Sequence, residues 1–89
     1  MPASFQLGLI VITRAAIAEI SPEDIFGAVR RHAQADWGNV EPKDREANND
    51  ALRLGDRLLS SYQSARQIEF WILTEWDRSV TTILLPSDY

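Results

Sequence analysis

Residues 68–86, IEFWILTEWDRSVTTILLP, decide the fold: they hold the densest run of β-forming side chains in the chain, interrupted by a short charged segment. Apolar stretches flank Thr74, Glu75, Trp76, Asp77, Arg78 and Ser79, so the spacing predicts a strand over 68–75, a turn over 76–79 and a last strand over 80–85. Just upstream, residues 57–62 form a further strand, and Ser64, Ala65 and Arg66 form the loop that joins it to the long one. Connections this short favour antiparallel hairpins.

Further back the pattern turns helical. Ser21-Pro22-Glu23-Asp24 opens a helix: the serine caps, proline at the first helical position wastes no donor, and two acids meet the positive end of the dipole. It is expected over 22–33, with Ile25, Phe26, Val29 and Ala33 on its core face. Trp37-Gly38-Asn39 breaks that pattern, and Trp37 folds back as a lid. Pro42 opens a second helix, which ends near Gly55 and turns Ala47, Ala51 and Leu54 inward. Residues 5–13 are apolar on both alternating sets, Leu7, Leu9 and Val11 against Ile10 and Ile12, which predicts a strand inside the sheet and covered on both faces. Residues 14–20, alanine-rich and without a clear period, read as a connection that can include a helical turn. The order is β-α-α-β-β-β. It defines an α+β fold, a four-stranded, largely antiparallel sheet with two helices on one face, in a single domain over residues 1–89.

A domain of 89 residues has a thin core, burying only roughly 60–65% of its unfolded surface. Three Trp and three Phe supply its large anchors. The absence of cysteine excludes disulfides, a thiolate metal site and a cysteine nucleophile, and points to a reducing, cytoplasmic setting. The apolar run LGLIVI falls far short of the ~20 residues a membrane-crossing helix needs, so no membrane association is expected. A net charge of −4 repels a phosphate backbone and disfavours nucleic acid as a partner. The basic run Arg30, Arg31 and His32, with Arg14 near it, reads as a solvated helix face. One histidine and unpaired Asp36 and Asp77 give no metal-ligand spacing, and no cofactor motif is present.

On the long strand Ile68, Phe70 and Ile72 point one way while Trp71 and Leu73 point the other. Ile83 and Leu85 are assigned to the same second apolar face, which helices on one side of a sheet leave open. With the turn beside it, this gives an expected binding surface of Trp71, Leu73, Trp76, Asp77, Arg78, Ile83 and Leu85, for a partner protein or a second copy of the chain. The alternative is that residues 15–20 and the C-terminal tail fold over it.

RHAQADWGN at 31–39, Asn48 with Ala51-Leu52, Gly55-Asp56-Arg57 and Ser60-Ser61-Tyr62, and WILTEWDRSVTTILLPSDY at 71–89 together resemble a family of small bacterial proteins encoded on plasmids and other mobile elements. The family pattern approximates RHxxGDWG, NxxALxxGxRxxSxY and WIxTEADRSxTTxLLPxxY. This chain departs from it at Ala35, where glycine is usual, and at Trp76, where alanine is usual. The resemblance implies a mobile-element setting and no particular activity.

Two functional readings of different classes follow. The first is a non-enzymatic protein-binding module of a mobile element, an anti-defence or regulatory factor acting on a host or plasmid protein through its sheet face or acidic surface. The second is a small metal-independent ribonuclease in which Glu75 is the base, Arg78 holds phosphate and His32, the one histidine, is the acid. The nuclease requires these three side chains in one cleft. In the first reading Arg78 is structural, its guanidinium held by the carboxylate of Glu75 or Asp36.

Overall fold

In the computed structural model, which describes residues 4–89, the hairpin forms with the expected pairing sense. Strands β3 (Glu69–Thr74) and β4 (Val80–Leu84) run antiparallel, and β2 (Leu58–Gln63) pairs antiparallel with β3 on its other side. Strand β1 (Leu9–Ile12) joins β4 in parallel, so the order across the sheet is β1-β4-β3-β2. The result is an α+β fold with two antiparallel pairings and one parallel pairing.

Helix α1 (Arg14–Glu19) occupies the stretch expected to be a connection, and its start is fixed by the Thr13 side chain accepting from the Ala16 amide. Helix α2 (Pro22–Ala33) begins as predicted, with Ser21 accepting from the Asp24 amide. Helix α3 (Pro42–Leu54) starts at a proline and ends at Gly55 in the left-handed conformation. A single 3₁₀ turn (Pro86–Asp88) closes the chain.

All three helices supply buried side chains to one face of the sheet. Ala16 and Ile20 near α1 and Ile25 and Ala28 of α2 pack with Tyr62, Phe70, Ile72 and Ile83, whereas Ala51 of α3 packs with Trp37 and Leu58 in a second cluster.

Four expectations are corrected. Strand β1 is not interior: it forms an edge of the sheet, and Leu9, Ile10 and Val11 are 67%, 46% and 40% exposed. In α2 the inward stripe is Ile25, Ala28, His32 and Ala33, so Phe26 lies 67% exposed, because a buried histidine takes the place two turns after Ile25. In α3 Asn48 and Ala51 turn inward, whereas Ala47 and Leu54 are exposed. Finally, six residues, 75–80, separate the paired Thr74 and Thr81, which sets Ile83 beside Ile72 and Leu84 beside Trp71. Ile83 is therefore fully buried under the helices and Leu85 packs against the same cluster, so neither belongs to the helix-free face.

Candidate functional site

Between the two apolar clusters runs a polar seam. His32 has no exposed surface; its Nδ1 lies 2.5 Å from Ser60 Oγ and its Nε2 lies 2.8 Å from Thr74 Oγ1. Thr74 Oγ1 is 2.8 Å from Thr81 Oγ1, and the Thr81 hydroxyl donates to the Leu7 carbonyl at 2.6 Å. A carbonyl only accepts and each hydroxyl has one proton, so the directions propagate back along the chain. Thr74 donates to Thr81 and His32 Nε2–H donates to Thr74. Burial keeps the ring neutral, so the Ser60 hydroxyl donates to Nδ1, and Phe5 and Trp37 pack edge-on against the imidazole. Burial first, and the positive charge of Arg78 second, lower its pKa to about 4.

Arg78 adopts a positive φ in the turn and is held by carbonyl oxygens, not by the expected carboxylate. Nη1 donates to Asp56 O at 2.5 Å and to Glu75 O at 3.1 Å, and Nη2 donates to Ala51 O at 3.0 Å. Its guanidinium sits over the Phe5 ring, whose other neighbours are His32 and Trp37. Asp36 instead takes Arg31, whose Nε and Nη2 donate to it at 2.7 and 3.2 Å while the guanidinium lies over the Tyr62 ring. The basic run is therefore divided: Arg31 is paired, His32 is buried and Arg30 is exposed. His32, Glu75 and Arg78 share no cleft, because the imidazole is sealed within the core with both nitrogens engaged.

The helix-free face carries Leu9 and Val11 of β1, Val80, Thr82 and Leu84 of β4, Trp71 and Leu73 of β3, and Leu59 and Ser61 of β2. The tail covers part of it. Tyr89 meets the Trp71 ring edge-on at 5.7 Å and accepts from Arg57, while the Asp88 carboxylate accepts from the Thr13 hydroxyl and the Leu85 amide. Leu73 and Leu84 are accordingly buried, and Trp71 is half-buried. Beside the turn Trp76 is 63% exposed, and exposed Asp77 accepts from the amide and hydroxyl of Ser79, which lower its pKa.

A groove of about 300 Å³ opens where this face meets the start of α3. Val40, Leu59 and Trp71 give it apolar walls, and Glu41, Asp44 and Glu69 give it charge. Glu69 is fixed there: its Oε2 accepts from both the Trp71 indole and the Ser61 hydroxyl at 3.0 Å.

The two sheet edges differ sharply. At β2 the Asn48 side chain donates to Leu59 O and accepts from Leu59 N, while Ser61 N donates to Trp37 O and Asn39 N donates to Ser61 O. Gly38 permits that approach, since a Cβ there would strike the Ser61 carbonyl. At β1 no described strand, side chain or helix plays this part.

No family model, curated protein or solved structure matches the chain. Among the described residues no group of histidine, cysteine and carboxylate side chains could hold a metal ion, and no helix is long and apolar enough to cross a membrane. Sequence reasoning missed the hydroxyl partners of His32, the edge-closing role of Asn48 and the open β1 edge. A polar residue within the inward stripe of α3 was the available signal for Asn48.

Proposed function

We propose that the chain is a small protein-binding module of a mobile genetic element, an anti-defence or regulatory factor that acts in the cytoplasm on a host or plasmid protein through the helix-free side of its sheet. The observation that carries this reading is the groove in which Val40, Leu59 and Trp71 stand beside Glu41, Asp44 and a pinned Glu69. Apolar walls with a carboxylate rim suit a partner segment that alternates apolar and basic side chains, and the net charge of −4 steers such a partner in. Exposed Leu9, Val11 and Tyr89 extend the surface beyond the groove. The mobile-element setting is supported by the motif resemblance at 31–39, 48–62 and 71–89.

The test is capture of a host protein on the immobilised chain, followed by affinity measurement with that protein purified. Trp71→Ala and Asp44→Lys should each weaken binding roughly tenfold or more. Phe26→Asp, on the helix layer, should leave it unchanged. Binding indifferent to Trp71 and Asp44 but lost with Phe26→Asp would refute this surface.

A further inference from the structure

Among the described residues, nothing protects the β1 edge of the sheet. Edge strands are normally blunted by charge, proline, bulges or a covering element, and the β2 edge is closed in that spirit by Asn48 and the Trp37–Asn39 main chain. Strand β1 reads LIVI, the surrounding residues 7–13 contain no charge or proline, and its first three side chains are exposed. The direction of its free groups follows from its bonds to β4. Leu9 N donates to Ser79 O and Thr13 N donates to Ile83 O, so residues 9, 11 and 13 face β4. The N–H and C=O of Ile10 and Ile12 therefore point outward.

We infer that β1 pairs antiparallel with β1 of a second copy about a two-fold axis through Val11, joining two four-stranded sheets into one. Chemistry decides the occupant. The open groups are main-chain donors and acceptors at alternate residues, which a β-strand satisfies, and an uncharged strand can meet its own copy without like charges opposite one another. The two-fold axis through Val11 sets Ile10 against Ile12 of the second copy and Ile12 against Ile10, so every outward N–H and C=O on both strands finds a partner. It also sets Val11 against Val11 on the helix-free face and buries Ile10 on the other. Two strands of four residues give a modest interface, so the dimer forms in a concentration-dependent way. This pairing uses the sheet edge and not the Trp71 groove; it shares Val11 with the outer part of the proposed partner surface, but its readout, self-association of the chain alone, is distinct from partner binding.

Sedimentation of the purified chain from low micromolar to near-millimolar concentration should show a monomer–dimer equilibrium. Val11→Lys and Val11→Glu place like charges across the axis, and each should raise the dimer dissociation constant roughly tenfold or more. Because Val11 is 40% exposed, the monomer tolerates both, and unchanged melting transitions confirm it. An equal mixture of the two variants should associate again, since only a strand paired at residue 11 brings lysine opposite glutamate. A wild type that stays monomeric throughout, variants that still dimerise, or a mixture that fails to re-associate would each overturn the inference.

Discussion

The Nη2 of Arg78 donates to the carbonyl of Ala51 at 3.0 Å, tying the β3–β4 turn to the last turn of α3. That carbonyl also accepts from the amides of Gly55 and Asp56, so the guanidinium completes a helix C-terminus whose dipole favours positive charge. Lysine carries the charge but not the planar fork that reaches Asp56, Glu75 and Ala51 together. Arg78→Lys is expected to destabilise the protein by about 1–3 kcal/mol, in the range of charged hydrogen bonds. Chemical denaturation reads this directly, and an unchanged midpoint would contradict the capping role.

Ala35 sits at φ 63° immediately after the end of α2. Its amide donates to His32 O and the Asp36 amide donates to Arg31 O, the bond pair of a helix end that favours glycine at this position. The left-handed conformation costs a non-glycine residue about 1–2 kcal/mol, partly offset by the extra freedom glycine has when unfolded. Ala35→Gly should thus stabilise by about 0.5–1 kcal/mol. This is also where the resembled family pattern carries glycine, and thermal unfolding of the variant supplies the check.

His32 makes stability depend on pH with a definite sign. Its folded pKa of about 4 lies below its ordinary 6.5, so between these values the unfolded chain takes up a proton that the folded one refuses. Its contribution is fully present above pH 6.5 and is lost as pH falls toward 4, by at most about 3 kcal/mol. Asp36, Asp77 and Asp88, held below the usual carboxylate value by their hydrogen bonds, act only at lower pH. Urea unfolding at pH 7 and pH 5 should show the drop, and nitrogen NMR at pH 5.5 should show a neutral ring protonated at Nε2. A charged ring at that pH would contradict the seam.

Trp37 is buried, and its indole donates to Asn49 at 2.9 Å while its ring closes one side of the second apolar cluster. Trp37→Ala should cost about 3–5 kcal/mol, enough to unfold much of so small a domain. Loss of the cooperative urea transition, or a large fall in its midpoint, is the expected result.

What was legible in the sequence was local. Caps, prolines and glycines place α2 and α3, and β-rich runs place β2, β3 and β4 close to their observed bounds. The face of Ile83 was legible too: the predicted turn over 76–79 pairs Thr74 with Thr81 and so sets Ile83 beside Ile72, and placing it with Trp71 is inconsistent with that register. What was illegible depends on distant pairing. Residues 5–13 look interior because they are apolar on both sides, yet nothing local says that another strand will be missing there. His32 could be singled out as the lone titrating group, but its two hydroxyl partners come from β2 and β3, with Thr81 of β4 behind Thr74, and only the fold assembles them.

Asn48 closes the β2 edge by copying a strand: its amide donates to Leu59 O at 2.8 Å and its carbonyl accepts from Leu59 N at 3.2 Å. Asn48→Asp keeps the acceptor but replaces the donor with a second oxygen facing the Leu59 carbonyl. A buried carboxylate in that place has its pKa raised above the unfolded value, so the protonated form restores the lost bond and the ionised form loses it. The variant should therefore be less stable than wild type by about 2 kcal/mol or more at pH 7. Sign follows from linkage: the deficit relative to wild type narrows as pH falls through the raised folded pKa and widens as pH rises. Hydrogen exchange provides a local control, because Ser61 N, which donates to Trp37 O, should stay protected while the amides around Leu59 open. A deficit that does not change with pH would mean that packing of the Asn48 side chain, and not its paired hydrogen bonds, holds this edge.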